Sequence, residues 1–235
     1  MKNRKTINEN FFKQWSHEMS YLLGYITADG CVGICKGRKK NPYTFNITSI
    51  DKGHLYRLRK IIESTHKISQ KNGVNSGAFQ LQLRNSSICI DLIRLGIIPR
   101  KTARLQPMRV PKKYFADFVR GYFDGDGTVY MYRVNNVWQI KAGFVSASQA
   151  FFRAFHTELC KRLGIPEKTV HTKKKRKASD KKQYTSHFYI DDCKKLADFM
   201  YGNHTNLYLP RKRRVFEKWN LVKRRSFIKK ITPQR

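Results

Sequence analysis

Two aspartates, Asp29 and Asp126, occupy the same place in two nine-residue segments that are near copies of each other. The first segment, residues 22–30, reads LLGYITADG, and the second, residues 119–127, reads VRGYFDGDG. Both segments have helical periodicity, and a carboxylate at a helix C-terminus faces the negative end of the helix dipole, which costs about 0.3–1 kcal/mol. Two such acids at neighbouring helix ends predict a bound divalent cation, because the charge of the cation offsets both penalties.

Close packing of the two helices would bring these acids together. The predicted helices cover residues 17–28 and 111–125, and both carry small residues at a spacing of four, namely Gly24, Ala28, Gly121 and Gly125. Small residues at this spacing let two helix backbones approach closely. In a simpler interpretation the glycines only end helices or fill turns, and Gly30 and Gly127 are expected to be left-handed C-caps.

A larger pattern repeats after each motif. The first copy predicts a strand over 45–49, a helix from Asp51, a hairpin of 66–70 with 79–84, and a short helix over 88–95. The second copy predicts a strand over 142–146, a helix from Ser148, a hairpin of 169–173 with 184–190, and a short helix over 193–200. Each copy ends in Pro-Arg-Lys, at 99–101 and 210–212. The order αββαββα, found twice, predicts an α+β fold of two pseudo-symmetric units with antiparallel sheets.

The repeat sets the expected domain boundaries. We expect an N-terminal extension over 1–11, a first unit over 12–106, a linker over 107–110, a second unit over 111–220 and a basic C-terminal tail over 221–235. Both ends of the chain are expected to be mobile.

The composition favours a polyanionic partner. The chain carries 49 Lys and Arg residues against 16 Asp and Glu residues, a formal net charge of +33. Such a field attracts polyanions, although a solvated charged surface would give the same count. With 40% hydrophobic and 13% aromatic residues the chain can bury a core, so disorder is not expected. No run of about 18 apolar residues is present, so no membrane span is expected.

The cysteines and the N-terminus favour an intracellular protein. The five cysteines form no Cys-x-x-Cys pair, so we interpret them as reduced thiols and not as zinc ligands. No apolar stretch follows the basic residues at the N-terminus, so no secretory signal is expected.

The two motifs, each heading the same downstream pattern, resemble the signature of the LAGLIDADG homing endonucleases in their two-motif, single-chain form. The resemblance implies that the motif helices meet at the centre of a DNA-binding saddle, where Asp29 and Asp126 bind metal with help from the carbonyl groups of Ala28 and Gly125. These are hard oxygen ligands, so we expect Mg²⁺, with Ca²⁺ or Mn²⁺ as substitutes. One departure is that the second motif has Asp124 where the first has Thr27.

The resemblance also suggests catalytic roles outside the motifs. Lys101 and Lys212 match a basic residue that stabilises the transition state or polarises the attacking water, although both could be ordinary surface lysines. Ser49 and Ser146 match a position that organises active-site water, or each caps the next helix.

Alternating strands suggest how DNA would be bound. In residues 79–84 apolar side chains alternate with Gln and Arg, and residues 44–48 and 139–142 behave similarly. Such side chains bind base edges and phosphates, although any antiparallel sheet has a polar outer face. The candidate DNA contacts are Lys36, Arg38, Lys40, Thr44, Asn46, Thr48, Lys71, Gln80, Gln82, Arg84, Tyr130, Tyr132, Arg133, Gln139, Lys141, His171, Lys173, Lys175 and Tyr184.

Together these features predict a monomeric, site-specific endonuclease that cuts both strands of a long asymmetric DNA target and leaves 3′ overhangs. A free-standing or intron-encoded origin is expected, because the chain lacks the terminal residues of an intein. The expected location is a bacterial cytoplasm, a mitochondrion or a chloroplast. Two alternatives share the fold. One is an RNA maturase that assists splicing of its host intron, and the other is a transcription regulator, for which no helix-turn-helix segment was found.

Overall fold

The computed structural model describes residues 5–35, 37, 39–73, 76–173, 181–202 and 206–231. The first unit contains α1 (His17–Asp29), β1 (Gly30–Ile34), β2 (Tyr43–Ser49), α2 (Lys52–Ile61), β3 (Ile68–Gln70), β4 (Phe79–Leu83) and α3 (Ser86–Arg94). The second unit contains α4 (Phe115–Asp126), β5 (Thr128–Val134), β6 (Val137–Ser146), α5 (Gln149–Leu163), β7 (His171–Lys173), β8 (Gln183–Tyr189), α6 (Ile190–Tyr201) and α7 (Pro210–Ile231). The repeated αββαββα order is confirmed, with α7 added at the end of the second unit.

Each unit has one four-stranded antiparallel sheet. The strand order is β1-β2-β4-β3 in the first sheet and β5-β6-β8-β7 in the second. The period-two alternation puts apolar side chains, such as Phe45 and Ile47 of β2, on one face of each sheet, where helices cover them. The polar residues of the same strands lie on the opposite face.

Local signals start several of the helices. Ser16 accepts a hydrogen bond from the Met19 amide and caps α1, and Asn85 caps α3 through the Ile88 amide. Asp51 stands at the predicted cap position of α2, but its side chain makes no capping hydrogen bond. Its carboxylate is bonded to Arg211 in the second unit instead.

The motif helices α1 and α4 pack against each other through their glycines. A Cβ atom at Gly24 would overlap the carbonyl group of Phe118, and one at Gly121 would overlap that of Tyr21. Only a residue without a side chain allows this approach. The prediction of closely packed helices is therefore confirmed, and the interpretation of these glycines as mere turn formers is wrong.

The expected left-handed caps at Gly30 and Gly127 are also wrong. Both residues are extended, with φ of −88° and −72°, because the chain passes straight from each motif helix into a strand. Glycine is needed there for space, since a Cβ atom would lie 2.6 Å from a side-chain carbon of Ile26 at position 30 and would overlap the ring of Phe123 at position 127.

Residues of both predicted terminal segments take part in the described structure. Thr6 and Asn8 form backbone hydrogen bonds with Thr65 and Ile62, which attach the N-terminal segment to the first unit. Helix α7 continues past the expected boundary at 220 and runs to Ile231. Over the described residues, none of the helices combines the length and the apolar composition that a membrane span requires.

Candidate active site

Asp29 and Asp126 are the last residues of α1 and α4. Because these helices pack closely, their C-terminal ends lie side by side. A Cβ atom added at Gly125 would lie 3.5 Å from Oδ2 of Asp29, so the first carboxylate reaches the end of the second motif helix. The structure thus brings the two motif acids to one place between the two units.

The electrostatics of this pair are unfavourable without a cation. Burial raises the pKa of Asp29, while the ammonium groups of Lys212 and Lys101 act in the opposite direction. Burial, and then the charge of Asp29, raise the pKa of Asp126 to about 6. A divalent cation would relieve the desolvation and the repulsion together.

The donors present fit a hard divalent cation. Within the described part of the chain, no group of three or more His, Cys, Asp or Glu side chains could hold a metal ion. The available donors are the two carboxylates and the nearby carbonyl oxygens of Ala28 and Gly125. Oxygen donors completed by water suit Mg²⁺, Mn²⁺ or Ca²⁺, whereas Zn²⁺ prefers nitrogen and sulfur.

Lys101 and Lys212 are buried beside the acids, so they are not ordinary surface lysines. Lys101 lies in a short 3₁₀ turn, and its Nζ donates to the carbonyl groups of Thr27 and Ala28 at 2.6 and 3.0 Å. Burial lowers the pKa of Lys101, while Asp126, Cys31 and Asp29 act against this shift. The lysine satisfies carbonyl groups that the end of α1 would otherwise leave without partners.

Lys212 makes more of these bonds at the end of α4. It lies in the first turn of α7, and its Nζ donates to four carbonyl groups, those of Phe123, Asp124, Gly125 and Gly127, at 2.6, 2.8, 3.2 and 2.6 Å. Burial lowers the pKa of Lys212 to about 8. The carbonyl groups proposed as metal ligands, at Ala28 and Gly125, therefore also accept from a lysine.

Ser49 and Ser146 organise the turns after β2 and β6. The Ser49 hydroxyl accepts from the Asp51 amide and from the Tyr25 hydroxyl, each at 3.1 Å. The Ser146 hydroxyl accepts from the Ser148 amide at 3.1 Å. These bonds favour a role in starting the next helix, and a role in holding water stays a prediction.

A buried hydrogen-bond network that the sequence did not predict crosses between the units. The Tyr21 hydroxyl donates to Oδ2 of Asp124 at 2.6 Å and lies 3.0 Å from Nε2 of His54, and the Leu209 amide donates to the same carboxylate oxygen. Burial raises the pKa of Asp124 to about 6, although the Tyr21 and Leu209 bonds favour its charged form. The sequence feature that could have indicated this network is Asp124, an acid where the first motif has Thr27. Thr27 does not disturb the packing of the motif helices, because its hydroxyl donates to the Leu23 carbonyl within α1.

A second contact between the units lies next to Asp29. The Arg211 guanidinium binds the Asp51 carboxylate through Nε and Nη2, at 3.2 and 3.1 Å from Oδ2. A pocket beside this pair is lined by Tyr25, Asp29, Thr48, Ser49, Ile50, Ala78 and Arg211. No pattern in the sequence indicated this pairing.

The polar face of the first sheet carries most of its predicted DNA contacts. Neighbouring strands place amide and hydroxyl groups side by side, at Thr44, Asn46, Thr48, Gln80 and Gln82. Lys40 and Arg84 are exposed near its edge and Lys71 is half-buried in the β3–β4 loop. Lys36 and Arg38 lie outside the described residues.

The polar face of the second sheet carries aromatic and basic groups. Tyr130 and Tyr132 pair with Lys141 and Gln139, and His171 and Lys173 follow on β7. The sequence missed Thr185, His187 and Tyr189, which lie on the same face of β8. Lys175 lies outside the described residues.

Two predicted contacts lie on the wrong face of the second sheet. Tyr184 is a core residue, and its hydroxyl donates to Gln149. Arg133 pairs with Trp138 on the helix-covered side and stacks on its ring, 4.6 Å from the centroid. Each is next in sequence to a residue of the polar face, and a difference of one position puts a side chain on the opposite face of a strand.

The fold and this site can be compared with known proteins. Residues 114–209 match a family model described as a LAGLIDADG-like domain. Solved LAGLIDADG endonucleases superpose on nearly the whole chain. The homing endonuclease I-LtrWI bound to target DNA is 10% identical with a TM-score of 0.59, and the match covers 94% of this chain and 92% of that one. The chain has the two-unit LAGLIDADG fold.

Other solved LAGLIDADG proteins are similar to this chain in fold. I-DmoI in complex with DNA and Ca is 16% identical with a TM-score of 0.57, over 89% of this chain and 99% of that one. The meganuclease I-AabMI bound to uncleaved DNA is 12% identical with a TM-score of 0.59, over 89% and 91%. In sequence, no curated protein is similar to the chain. The LAGLIDADG resemblance of the two motifs is confirmed, and so is the predicted fold class.

Proposed function

We propose that this LAGLIDADG chain is a site-specific endonuclease that hydrolyses both strands of a double-stranded DNA target. The observation that carries the proposal is the meeting of Asp29 and Asp126 at the ends of two packed helices, between two sheets with polar faces. The DNA complexes of I-LtrWI and I-DmoI, which have the same fold, support it. RNA binding alone would not need the paired acids, which favours the nuclease over the maturase.

In the proposed mechanism Asp29 and Asp126 hold divalent metal, with Mg²⁺ as the physiological ion. Solved complexes of I-DmoI contain Ca and Mn, which is consistent with divalent metal. When bound, the metal lowers the pKa of a water molecule and neutralises charge on the phosphate oxygens. Lys101 and Lys212 fix the two helix ends through the carbonyl groups and hold positive charge within reach of the acids.

The two sheets bind the duplex on either side of the acids. Gln80, Gln82 and Asn46 offer amide groups to base edges, and basic residues grip the phosphates. Each sheet covers about one helical turn, roughly 10 bp. Because the two polar faces differ in composition, the target is asymmetric and one monomer reads all of it. Cleavage is staggered and leaves 3′ overhangs.

The test is cleavage of a defined target. Candidate targets come from joining the DNA that flanks the open reading frame, or from selection in a random duplex library. The purified protein should linearise a target plasmid with Mg²⁺ and leave it intact with EDTA. A protein that bound intron RNA tightly but cut no selected duplex would favour the maturase instead.

A further inference from the structure

The ion pair between Arg211 and Asp51 joins the second unit to the first at the edge of the active site. Arg211 lies in the first turn of α7, and Asp51 stands immediately before α2. Nε and Nη2 of the guanidinium both donate to Oδ2 of the carboxylate, at 3.2 and 3.1 Å, and Nε also lies 3.4 Å from Oδ1. Because two donors on one edge of the planar guanidinium bind the same carboxylate, its orientation is restricted.

Stability does not explain this pair. The Arg211 side chain is 52% exposed, and an exposed ion pair contributes little to the free energy of unfolding. Asp51 would contribute a comparable amount as a helix cap, yet its side chain makes no capping hydrogen bond to α2. The Asp51 carboxylate binds Arg211 instead. The ion pair therefore restricts the orientation of the Arg211 guanidinium.

The oriented guanidinium faces a pocket that contains a proposed metal ligand. Arg211 and Asp29 both line this pocket, together with the polar side chains of Ser49 and Thr48. Arg211 is close enough to Asp29 to act against the rise in its pKa that burial causes. Asp51 accepts from Nε and Nη2, and Nη1 of the guanidinium does not take part in these bonds. A phosphate group complements such donors.

The pseudo-symmetric half of the site is built differently. The repeated Pro-Arg-Lys segment places Arg100 at the position that matches Arg211, and Ser148 matches Asp51. Ser148 is buried and donates to the Leu105 carbonyl at 2.6 Å. Among the described residues, no ion pair of Arg100 is found. The oriented guanidinium therefore belongs to one half of the site only.

We propose that Arg211, oriented by Asp51, binds a backbone phosphate of the DNA strand on the Asp29 side of the site. This inference rests on the proposed endonuclease function. Since the other half lacks an equivalent pair, the two strands of the target are cut at unequal rates. Arg211 contacts the substrate, and Asp51 is a positioning residue that acts through Arg211.

Two measurements test the proposal. Single-turnover cleavage of a duplex labelled separately on each strand gives one rate constant per strand. We expect Arg211→Ala to slow one strand about tenfold and the other less than about threefold, so that nicked DNA accumulates. Binding in EDTA at several salt concentrations should give a log–log slope that is smaller by about 0.9, the change for one lost phosphate contact.

Three further variants separate a phosphate contact from a structural role. Asp51→Asn should slow the same strand by a smaller factor and leave the salt slope unchanged, because the charge of Arg211 remains. Arg211→Lys should keep the salt slope but restore only part of the rate. Arg100→Ala, the matched control, should leave the ratio of the two strand rates unchanged, and thermal unfolding should show that all variants fold.

Equal slowing of both strands by Arg211→Ala, or an unchanged salt slope, would overturn the proposal. The proposed function fails in a different way, by the absence of cleavage in the unmodified protein. In that case the salt slopes still decide whether Arg211 contacts a phosphate.

Discussion

The hydroxyl group of Tyr21 donates a 2.6 Å hydrogen bond to the carboxylate of Asp124, which belongs to the other unit. Both side chains are buried, and His54 and the Leu209 amide also belong to the network. The bond thereby connects α1 to α4 and to the start of α7, which carries Lys212. Polar groups buried at an interface fix one relative placement of the two surfaces, because any other leaves them without partners.

Loss of the Tyr21 hydroxyl should weaken the junction between the units. We expect Tyr21→Phe to lower the free energy of unfolding by about 1–3 kcal/mol, because the Asp124 carboxylate stays buried with one donor fewer. Urea denaturation measures the change. The matched control is Tyr56→Phe at an exposed position, expected to change stability by less than about 0.5 kcal/mol. Equal effects of the two substitutions would mean that the network does not contribute to stability.

His54 should make the folded protein sensitive to acid. Burial, and then the charge of Arg57, lower the pKa of His54 to about 3, whereas an unfolded histidine has a pKa near 6.5. Between these values only the unfolded chain binds the proton, so stability is fully present above about pH 6.5 and falls as the pH drops. The slope is at most about 1.4 kcal/mol per pH unit. The raised pKa values of Asp124 and Asp126 act in the opposite direction, so the measurement is the difference in melting temperature between His54→Gln and the unmodified protein from pH 4.5 to 7.5. The variant should gain stability relative to the unmodified protein as the pH falls, and a difference that does not change with pH would contradict this assignment.

A single methyl group at position 121 should separate the motif helices. Gly121→Ala puts its Cβ atom onto the Tyr21 carbonyl group, which belongs to the backbone and has no room to move aside. We expect a loss of more than about 1–3 kcal/mol, together with loss of cleavage, since Asp29 and Asp126 move apart. Gly53→Ala is the control, because nothing lies within 4 Å of the added atom in α2. A stable and active Gly121→Ala protein would exclude the packing that places the two acids together.

The two buried lysines should differ in their effect on stability. Lys212 donates to four carbonyl groups at the end of α4, of which that of Phe123 also accepts from the Gly127 amide, whereas Lys101 donates to two at the end of α1. Each unsatisfied buried group costs about 1–3 kcal/mol. We therefore expect Lys212→Met to destabilise the protein more than Lys101→Met, measured by urea denaturation. The reverse order would indicate that Lys212 is held at the site for its charge alone.

Removing one motif acid should separate metal binding from DNA binding. We expect Asp126→Asn to abolish cleavage while DNA affinity stays, because the acid is placed as a metal ligand and not as a phosphate contact. Without metal the variant should be more stable than the unmodified protein at pH 7, since burial and Asp29 both oppose the charge of Asp126. Melting curves with and without Mg²⁺ should show a smaller stabilisation by metal in the variant. Asp198→Asn on the exposed side of α6 is the control, and full cleavage by Asp126→Asn would contradict the assignment.

Features that depend on local patterns were predictable from the sequence. The two motifs, the period-two strands and the small residues at a spacing of four gave the repeated αββαββα order and the central helix pair. The role of Lys101 and Lys212 beside the acids was implied by the resemblance to the LAGLIDADG endonucleases and not by these local patterns. The ends of elements were harder to predict, because a helix such as α7 continues wherever its backbone bonds and packing continue.

Features that depend on contacts between distant residues were not predictable. Arg211 and Asp51 are 160 positions apart, and no local pattern links them. The face occupied by Tyr184 depends on the register of β8 against β6, since a shift of one residue exchanges core and solvent. Gly30 and Gly127 were assigned to the correct helix ends but to the wrong backbone conformation, because the direct passage into a strand is a property of the packed sheet.

The contact between Tyr21, His54 and Asp124 limits how freely the two units can be exchanged between related proteins. A chimera that took its first unit from another chain of this fold would have to bring a tyrosine that reaches Asp124 and a histidine that binds this tyrosine, or leave the buried carboxylate of the second unit with one donor fewer. A graft chosen only for its DNA-reading strands would therefore fold poorly, even if every strand were compatible. Replacing Asp124 together with its partners by apolar residues of similar volume would remove this barrier and make the second unit a more general module for new targets.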